Sequence, residues 1–271
     1  MEYNLCTKKW NIKALNTHSD FLYYSAAVTL PNGDALIIGG GSSTAVYQYT
    51  NKGDLIKKKP MIQMRKEHSA AILGSTVYVM GGYDGAEGVF LSSCETYNCE
   101  LNEPWKKFAS MKTSKCAFSA CVVNKSIYTF GGYDGSKRLD IIERYEIESD
   151  FWEKCSFKLR FALSNCACFS PFMSKVVIFG GGFSSGFSHY VEMVDVENGE
   201  WKSLPKMREG RDLRNKVVYV DGSAYAIGGL NRKCERLNLM KKRWIPIDDY
   251  VINDNLDSWS CSLMFTPQAT F

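Results

Sequence analysis

Short apolar runs recur along the chain, and each run stops at a pair of glycines. The runs are rich in β-branched and aromatic residues, which is the composition of a buried strand. The glycine pairs begin at residues 39, 81, 131, 180 and 228, so successive pairs are 42 to 50 residues apart. Five copies of one pattern indicate a repeat architecture. The five predicted strands are Ala35–Ile38, Val77–Met80, Ile127–Phe130, Val176–Phe179 and Ala224–Ile227.

A second pattern follows each glycine pair. The next predicted strand carries one large residue, and another large residue comes seven or eight positions later. These pairs are Tyr49 and Ile56, Tyr97 and Trp105, Tyr145 and Trp152, Val194 and Trp201, and Leu237 and Trp244. Four of the five repeats also have a glutamate two residues before the first large residue, and these are Glu95, Glu143, Glu192 and Glu235. We therefore predict five four-stranded antiparallel units, which we call blades A to E.

Blades arranged around an axis explain why small and large residues alternate in this way. Near the axis the sheets crowd, and glycine allows close backbone approach and positive φ. Farther out the sheets diverge, and a buried aromatic side chain there contributes about 1.5–3 kcal/mol. The glycine pairs and the repeat aromatics are therefore interpreted as structural, and none is predicted to bind a ligand.

Both ends of the chain contain half a repeat. Tyr3 and Trp10 have the spacing of strands 3 and 4, whereas Trp259–Phe265 and Gln268–Phe271 resemble strands 1 and 2. Together they would make one further blade. We therefore expect a six-bladed all-β propeller over residues 1–271, a single domain whose closing blade is shared between the two termini.

The repeats resemble kelch repeats, and the whole chain is similar to the kelch domain of the kelch-like substrate adaptors of cullin-type ubiquitin ligases. The resemblance depends on Gly81–Gly85, Gly131–Gly135, Glu143-Arg144-Tyr145 and a Met-x-x-x-basic element. That element runs from Met61 to Arg65, Met111 to Lys115 and Met207 to Arg211. The segment ahead of blade A has no such element, and only Arg160 remains of it ahead of blade D. The adaptors also use dimerisation and helical domains that this sequence does not include. Two interpretations therefore stay open: the sequence is a fragment of such an adaptor, or the chain binds a partner without delivering it to a ligase.

In a four-stranded meander, the loops between strands 2 and 3 and the linkers between blades lie on one face. These segments are the longer and more varied ones here, so we predict that this face binds a protein or peptide. The predicted contact residues are Arg65, Glu67, Tyr83, Asp84, Lys115, Tyr133, Asp134, Arg160, Phe183, Ser184, Ser185, Arg211, Arg214, Asn231 and Arg232. The family resemblance implies that the basic positions capture an acidic segment. Two alternatives remain: solvated loop residues, and basic side chains paired with the repeat glutamates.

The turns between strands 3 and 4 should lie on the opposite face, and their charge is uneven. Basic residues cluster in blades E and A and in the shared blade, namely Lys241, Lys242, Arg243, Lys8, Lys9 and Lys52. Acidic residues occupy the turns of blades B to D, namely Glu100, Glu103, Glu148, Asp150, Glu197 and Glu200. A basic half could favour an acidic filament such as actin, although a solvated rim explains the same residues.

The composition of the sequence also bears on nucleic-acid binding, membrane insertion and cellular location. The net charge of +4 is too small to indicate nucleic acid, and no run of 18 apolar residues predicts a membrane span. The N-terminus lacks the features of a secretory signal. The ten cysteines include no CxxC pair and several that fall in apolar strands, so we expect reduced thiols and a cytoplasmic location.

Catalysis is the third hypothesis, because enzymes such as sugar epimerases, lyases and oxidases exist on propellers. The three histidines, His18, His68 and His189, belong to different repeats, and no spacing suggests a zinc site. The segment Gly39–Ser43 lacks the lysine and the helix of a phosphate loop. We therefore expect no cofactor, no metal and no enzymatic activity, and a protein or peptide ligand as the partner.

Overall fold

The chain folds into five four-stranded antiparallel sheets, which form the blades of a β-propeller. The structure is a computed structural model. It describes residues 23–41, 43–183, 185–213, 217–227 and 234–247, together with the backbone of residues 2–4 and 9–11. Within each sheet the strands lie side by side in chain order, as in a meander. The predicted all-β propeller with four antiparallel strands per blade is confirmed.

The strands have the following bounds. The first two, β1 and β2, are Glu2–Asn4 and Lys9–Asn11. Blade A contains β3 to β6, which are Ala26–Thr29, Ala35–Ile38, Val46–Tyr49 and Leu55–Lys57. Blade B contains β7 (Ser69–Leu73), β8 (Thr76–Met80), β11 (Cys94–Asn98) and β12 (Lys106–Phe108), and its 2–3 loop forms a small ribbon of β9 (Tyr83–Asp84) and β10 (Val89–Phe90).

The remaining blades repeat this arrangement. Blade C contains β13 to β16, which are Ser119–Val123, Ser126–Phe130, Ile142–Glu146 and Phe151–Lys154. Blade D contains β17 (Ala167–Phe172), β18 (Lys175–Phe179), β21 (Val191–Asp195) and β22 (Trp201–Leu204), with a ribbon of β19 (Gly182–Phe183) and β20 (Gly186–Phe187). Blade E contains β23 to β26, which are Val217–Val220, Ser223–Ala226, Cys234–Asn238 and Arg243–Ile247.

The prediction of six blades is wrong, because the part of the chain that the structure describes forms a propeller of five. Strands β1 and β2 pair as expected, with Tyr3 opposite Trp10, but they form a two-stranded sheet of their own. Residues 248–271, which were expected to supply the other two strands, lie outside the described residues. The spacing of Tyr3 and Trp10 specifies a hairpin, whereas a blade also needs two further strands hydrogen-bonded to the free edge of its third strand, which here would be β1.

Consecutive blades pack through their first strands and bury apolar clusters between them. Strand β7 contacts β3 and β13, and β17 contacts β13 and β23. The cluster between blades B and C, for example, joins Met80 of β8 to Tyr145 and Trp152 of blade C. The outer aromatic residues of blades B to E thus pack against the blade before them, which positions the loops of neighbouring blades beside one another.

Gly131 illustrates why a glycine pair ends each second strand. Its φ is +64°, and a Cβ added there would lie 2.4 Å from the carbonyl oxygen of Leu163 in the linker to blade D. The neighbouring Gly132 donates its backbone N–H to that same carbonyl at 2.8 Å. The pair therefore lets one blade accept the linker of the next at backbone contact distance.

The outer tryptophans fasten the blades to the linkers. Trp105, Trp152 and Trp244 each donate the indole N–H to a linker carbonyl, at 2.9, 2.9 and 2.7 Å. Trp201 of blade D is only partly buried and donates no hydrogen bond to the described residues. Ile56 of blade A is exposed, which agrees with the weaker outer packing expected without an aromatic residue. Blade D thus has a looser outer side than blades B, C and E.

Candidate binding face

The loops between strands 2 and 3 and the linkers between blades meet on one face of the propeller. Lys66 of the linker before blade B exchanges backbone hydrogen bonds with Tyr83 of the blade B loop, at 2.8 and 3.0 Å. Cys116 and Tyr133 do the same one blade later, at 2.9 Å in both directions. We call this surface the loop face. The backbone bonds fix the two kinds of segment relative to each other.

Three aromatic rings form a continuous row on the loop face. Phe90 of β10 lies 5.0 Å from the ring of Tyr83 and 5.8 Å from the ring of Tyr133, measured between centroids. All three rings are half-buried. The ammonium group of Lys66 lies 5.3 Å from the Tyr83 centroid. We call Tyr83, Phe90 and Tyr133 the aromatic row. It spans blades B and C and presents rigid apolar area at the surface.

Sequence reasoning found the two tyrosines but missed Phe90. The phenylalanine comes seven residues after Tyr83, and the short β9–β10 ribbon returns it to the tyrosine. An apolar Val-Phe pair in an otherwise polar loop was the available signal.

Asp84 and Asp134, which were predicted as contact residues, shape the turns that carry the row. Asp84 is buried and accepts hydrogen bonds from the backbone N–H groups of Ala86 and Glu87. Asp134 accepts from the N–H groups of Ser136 and Lys137, both at 2.8 Å. The bond from Lys137 is the main reason that the pKa of Asp134 is lowered. Both carboxylates therefore hold loop backbone in place.

Three of the four basic positions are buried ion pairs. Arg65 meets Glu95 at 2.8 Å, Lys115 meets Glu143 at 2.9 Å, and Arg211 meets Glu235 at 3.0 Å. Arg65 also donates to the carbonyl oxygens of Gly81 and Ser93. Burial lowers the pKa of Lys115, and the charge of Glu143 opposes that shift. All three side chains are buried and paired with the repeat glutamates, which was one of the two alternatives left open by the sequence. An acidic ligand would therefore have to contact other groups.

Arg160 does not occupy the position that sequence reasoning assigned to it. The carbonyl oxygens of residues 65, 115, 163 and 211 each accept a hydrogen bond from the second glycine of the preceding pair. The counterpart of Lys115 in blade D is therefore Leu163. Arg160 lies three residues earlier, with 42% of its side chain exposed, and reaches Glu192 at 3.2 Å from outside. Leu159 stands at the methionine position of the Met-x-x-x-basic element, and the fourth residue after it, the basic position, is Leu163. Sequence reasoning missed this correspondence.

The other predicted contact residues are spread over the loop face. Phe183 is half-buried in β19, and Ser185 is exposed. Glu67 is half-buried with a φ of +52° and accepts a hydrogen bond from the thiol of Cys116. The predicted positions outside the described residues are Ser184, Arg214, Asn231 and Arg232. Of the described positions, the structure thus brings Tyr83 and Tyr133 together in the row.

The opposite face carries the 3–4 turns. Lys241, Lys242 and Arg243 of blade E are exposed, as is Lys52 of blade A, whereas the side chains of Lys8 and Lys9 lie outside the described part of the chain. The acidic turns of blades B to D are also mostly exposed. Some of their charges are locally paired, as in Glu148 with Lys125 and Glu103 with Lys106.

Among the described residues, no group of three or more His, Cys, Asp or Glu side chains could hold a metal ion, and the eight cysteines described there are free thiols. His68 is buried, His189 packs against Tyr190, and His18 lies outside the described residues. In the same part of the chain no helix has the length and apolar character to cross a membrane.

Fold and repeat together define a β-propeller built from kelch-type blades. The family model described as the KLHDC2/KLHL20/DRC7 Kelch-repeats domain matches residues 54–229, more than half of the chain. The chain therefore belongs to the kelch-repeat family, as its motifs predicted.

Curated relatives match shorter stretches. Kelch-like protein 23 from mouse is 29% identical over 102 residues, which is 37% of this chain and 18% of that protein. The human protein of the same name is 28% identical over 102 residues, with the same coverage. Kelch domain-containing protein 8B from rat is 32% identical over 120 residues, 38% of this chain and 33% of the relative. The matched region thus spans a third or less of the length of these relatives.

Proposed function

We propose that this chain is a non-catalytic interaction module whose loop face binds a segment of another protein. A kelch propeller is consistent with a protein-interaction scaffold. The observation that carries the proposal is the aromatic row, because rigid, half-buried rings with adjoining polar groups are typical of binding hot spots. The row spans two blades, so an extended segment could lie across both.

The charges around the row favour a partner with acidic groups near its apolar anchor. Lys137 and Arg138 are exposed beside Tyr133, and Lys66 lies over Tyr83. In the interaction that we propose, these three cations take the role that the sequence analysis gave to Arg65, Lys115 and Arg211, which are buried. Rim charges of this kind act mainly on association rate and orientation.

The experiment is affinity capture from cell extract with three versions of the chain. The first is the natural sequence, the second carries Tyr83→Ala and Tyr133→Ala, and the control carries Leu101→Ala and Met173→Ala. The control residues are 65% and 80% exposed in turns that do not belong to the loop face. We expect the tyrosine variant to lose partners that the control retains, with at least about tenfold weaker binding of any purified partner. Equal partner sets for all three versions would contradict the proposal.

We further propose that the module recognises substrates for a ubiquitin ligase. The support is the resemblance to kelch-like adaptors and the similarity to Kelch-like protein 23. The test is whether the protein co-purifies with a cullin, and whether a captured partner is ubiquitinated in its presence. A partner that binds the loop face but is never modified would leave the chain as a scaffold only.

A second candidate function is binding to an acidic filament such as actin through the opposite face. It is favoured by one turn of blade E, Met240 to Arg243, in which all four residues are exposed and three are basic. Co-sedimentation with filaments should fall when Lys241, Lys242 and Arg243 become Ser. The matched control is Lys106→Ser with Lys107→Ser, two exposed lysines of blade B. Equal loss in both variants would indicate unspecific charge attraction.

A further inference from the structure

The junction between blades C and D differs from its neighbours at one buried position. In blades B, C and E the repeat glutamate meets a buried arginine or lysine from the preceding linker. In blade D the same linker position holds Leu163, which cannot pair with Glu192. Blade D thus has the repeat glutamate, Glu192, but lacks the buried linker cation that pairs with this glutamate in blades B, C and E.

A cleft opens at this position, between the linker and the outer part of blade D. Its walls include Leu159, Leu163, Ile178, Trp201, Glu192 and, beside that carboxylate, Arg160. The space measures about 310 Å³ with its open mouth, and it has room for about one water-sized group. Trp201 is less buried here than Trp105 and Trp152 are in their blades. The cleft thus has largely apolar walls and one carboxylate, which a partly exposed arginine faces.

The Glu192 carboxylate has acceptor capacity left over. Its Oε1 accepts a hydrogen bond from the hydroxyl of Ser203 at 3.0 Å. Its Oε2 is buried and accepts no hydrogen bond from the described residues, although Arg160 makes an ion-pair contact at 3.2 Å. In blade B, by contrast, the Glu95 carboxylate accepts from two backbone N–H groups as well as from Arg65. The charge of Glu192 is thus balanced by a partly exposed arginine and not by a buried cation, so a cationic donor that enters the cleft could take the place of that arginine.

We propose that this cleft binds the ammonium group of a lysine side chain supplied by a partner protein. The Lys115–Glu143 pair, at 2.9 Å in blade C, shows that this fold accommodates an ammonium group against the repeat glutamate. Room for about one water-sized group suits an ammonium group better than the larger, planar guanidinium. The aliphatic stem of the lysine would lie along Leu159, Leu163 and Ile178. The site lies apart from the aromatic row and does not depend on it.

Arg160 acts in this proposal as a competitor for the carboxylate. Its guanidinium also donates to Ser203 Oγ at 3.0 Å and to the Trp201 carbonyl at 3.4 Å, and much of it is exposed. An arriving ammonium group displaces it from Glu192 into solvent. Lys206, whose ammonium lies 4.4 Å from the Tyr190 ring centroid, adds a second opposing charge. The affinity for an isolated ammonium ion should therefore be weak and should increase when Arg160 is neutralised.

The test is an NMR titration of the whole chain with n-butylammonium, and with n-butanol as the neutral probe of similar shape. Methyl signals of Leu159, Leu163 and Ile178 report the cleft. We expect butylammonium to shift these methyl signals saturably and butanol to shift them little. Glu192→Gln should weaken butylammonium binding about tenfold or more. Arg160→Gln should strengthen it, whereas a site for acidic ligands would lose affinity on the same change.

A third variant guards against misfolding as an explanation. Leu163→Lys places the ammonium group of blade C into blade D, so it should occupy the cleft, abolish the response to butylammonium and keep or raise the melting temperature. Tyr83→Ala with Tyr133→Ala should leave the response unchanged, which separates this site from the row. Equal shifts with butanol, binding that survives Glu192→Gln, or weaker binding in a folded Arg160→Gln variant would overturn the proposal.

Discussion

His68 and Phe118 occupy the same position in blades B and C but should respond differently to acid. The His68 ring would lie 3.0 Å from a Cβ built on Gly39, and the Phe118 ring 2.8 Å from one built on Gly81. Neither nitrogen of His68 has a hydrogen-bond partner among the described residues. Burial, and then the charge of Arg65, lower the pKa of His68 from 6.5 to about 3. The imidazole is therefore neutral and acts as an apolar ring.

The expected consequence is that His68 makes the protein sensitive to acid. The unfolded chain binds a proton at His68 below pH 6.5, whereas the folded chain does so only near pH 3. Stability is thus lost as pH falls through this window, by at most about 1.4 kcal/mol per pH unit, and His68 adds no slope above it. His68→Phe should flatten the slope between pH 6.5 and 4, measured by urea unfolding at fixed pH values.

The reciprocal change provides the control. Phe118→His introduces a second buried imidazole beside Lys115, so it should steepen the loss of stability over the same window. If His68→Phe keeps the slope of the natural chain, the pKa of His68 is not lowered by its burial.

At the scale of elements, buried ion pairs hold three of the four linkers between the blades. Lys115 of the linker and Glu143 of β15 are both inaccessible to solvent and 2.9 Å apart. Lys115 also donates to the hydroxyl of Thr129 on β14. One side chain thus ties the linker to two strands of blade C. Removing either charge leaves the other buried without its partner.

Lys115→Met should therefore lower the free energy of unfolding by about 3–5 kcal/mol. The double change Lys115→Met with Glu143→Leu should recover much of that loss, because two apolar groups replace the pair. The control is Lys125→Met, since the Lys125–Glu148 pair has the same 2.9 Å length but is 76% and 71% exposed. Its loss should cost less than about 1 kcal/mol. A double variant no more stable than Lys115→Met would contradict the ion-pair account.

The strands were more predictable from the sequence than the linkers. The predicted strand Ala35–Ile38 is β4 itself, because a buried strand needs a continuous apolar run and a glycine pair to end it. The Met-x-x-x-basic pattern gave the linker spacing but not the direction of the side chains. Whether Arg65 points to solvent or to Glu95 depends on the position of a strand 30 residues away. Phe90 and Leu163 escaped prediction for the same reason, since the partners of each are set by the assembled fold.

At the scale of the whole molecule, the blade count was the feature that local patterns misjudged. Half-repeats at the two ends were counted as a sixth blade, yet β1 and β2 pair only with each other among the described strands. The single domain over residues 1–271 and the cytoplasmic location stay predictions. The structure shows a succession of apolar cores, each built from two neighbouring blades. No central blade can unfold without exposing the cores on both of its sides.

Blades B, C and D should therefore open together. Their second strands, β8, β14 and β18, are almost entirely buried and hydrogen-bonded on both edges. We expect their amide hydrogens to exchange with one common free energy of opening, equal to that of global unfolding, in hydrogen-exchange mass spectrometry at increasing urea. Strand β6 of blade A, at an outer edge with Ile56 exposed, should exchange through local opening at lower cost. A free energy for β18 clearly below that for β8 and β14 would mean that the cleft beside Leu163 uncouples blade D, and the shared cores would then not make the propeller cooperative.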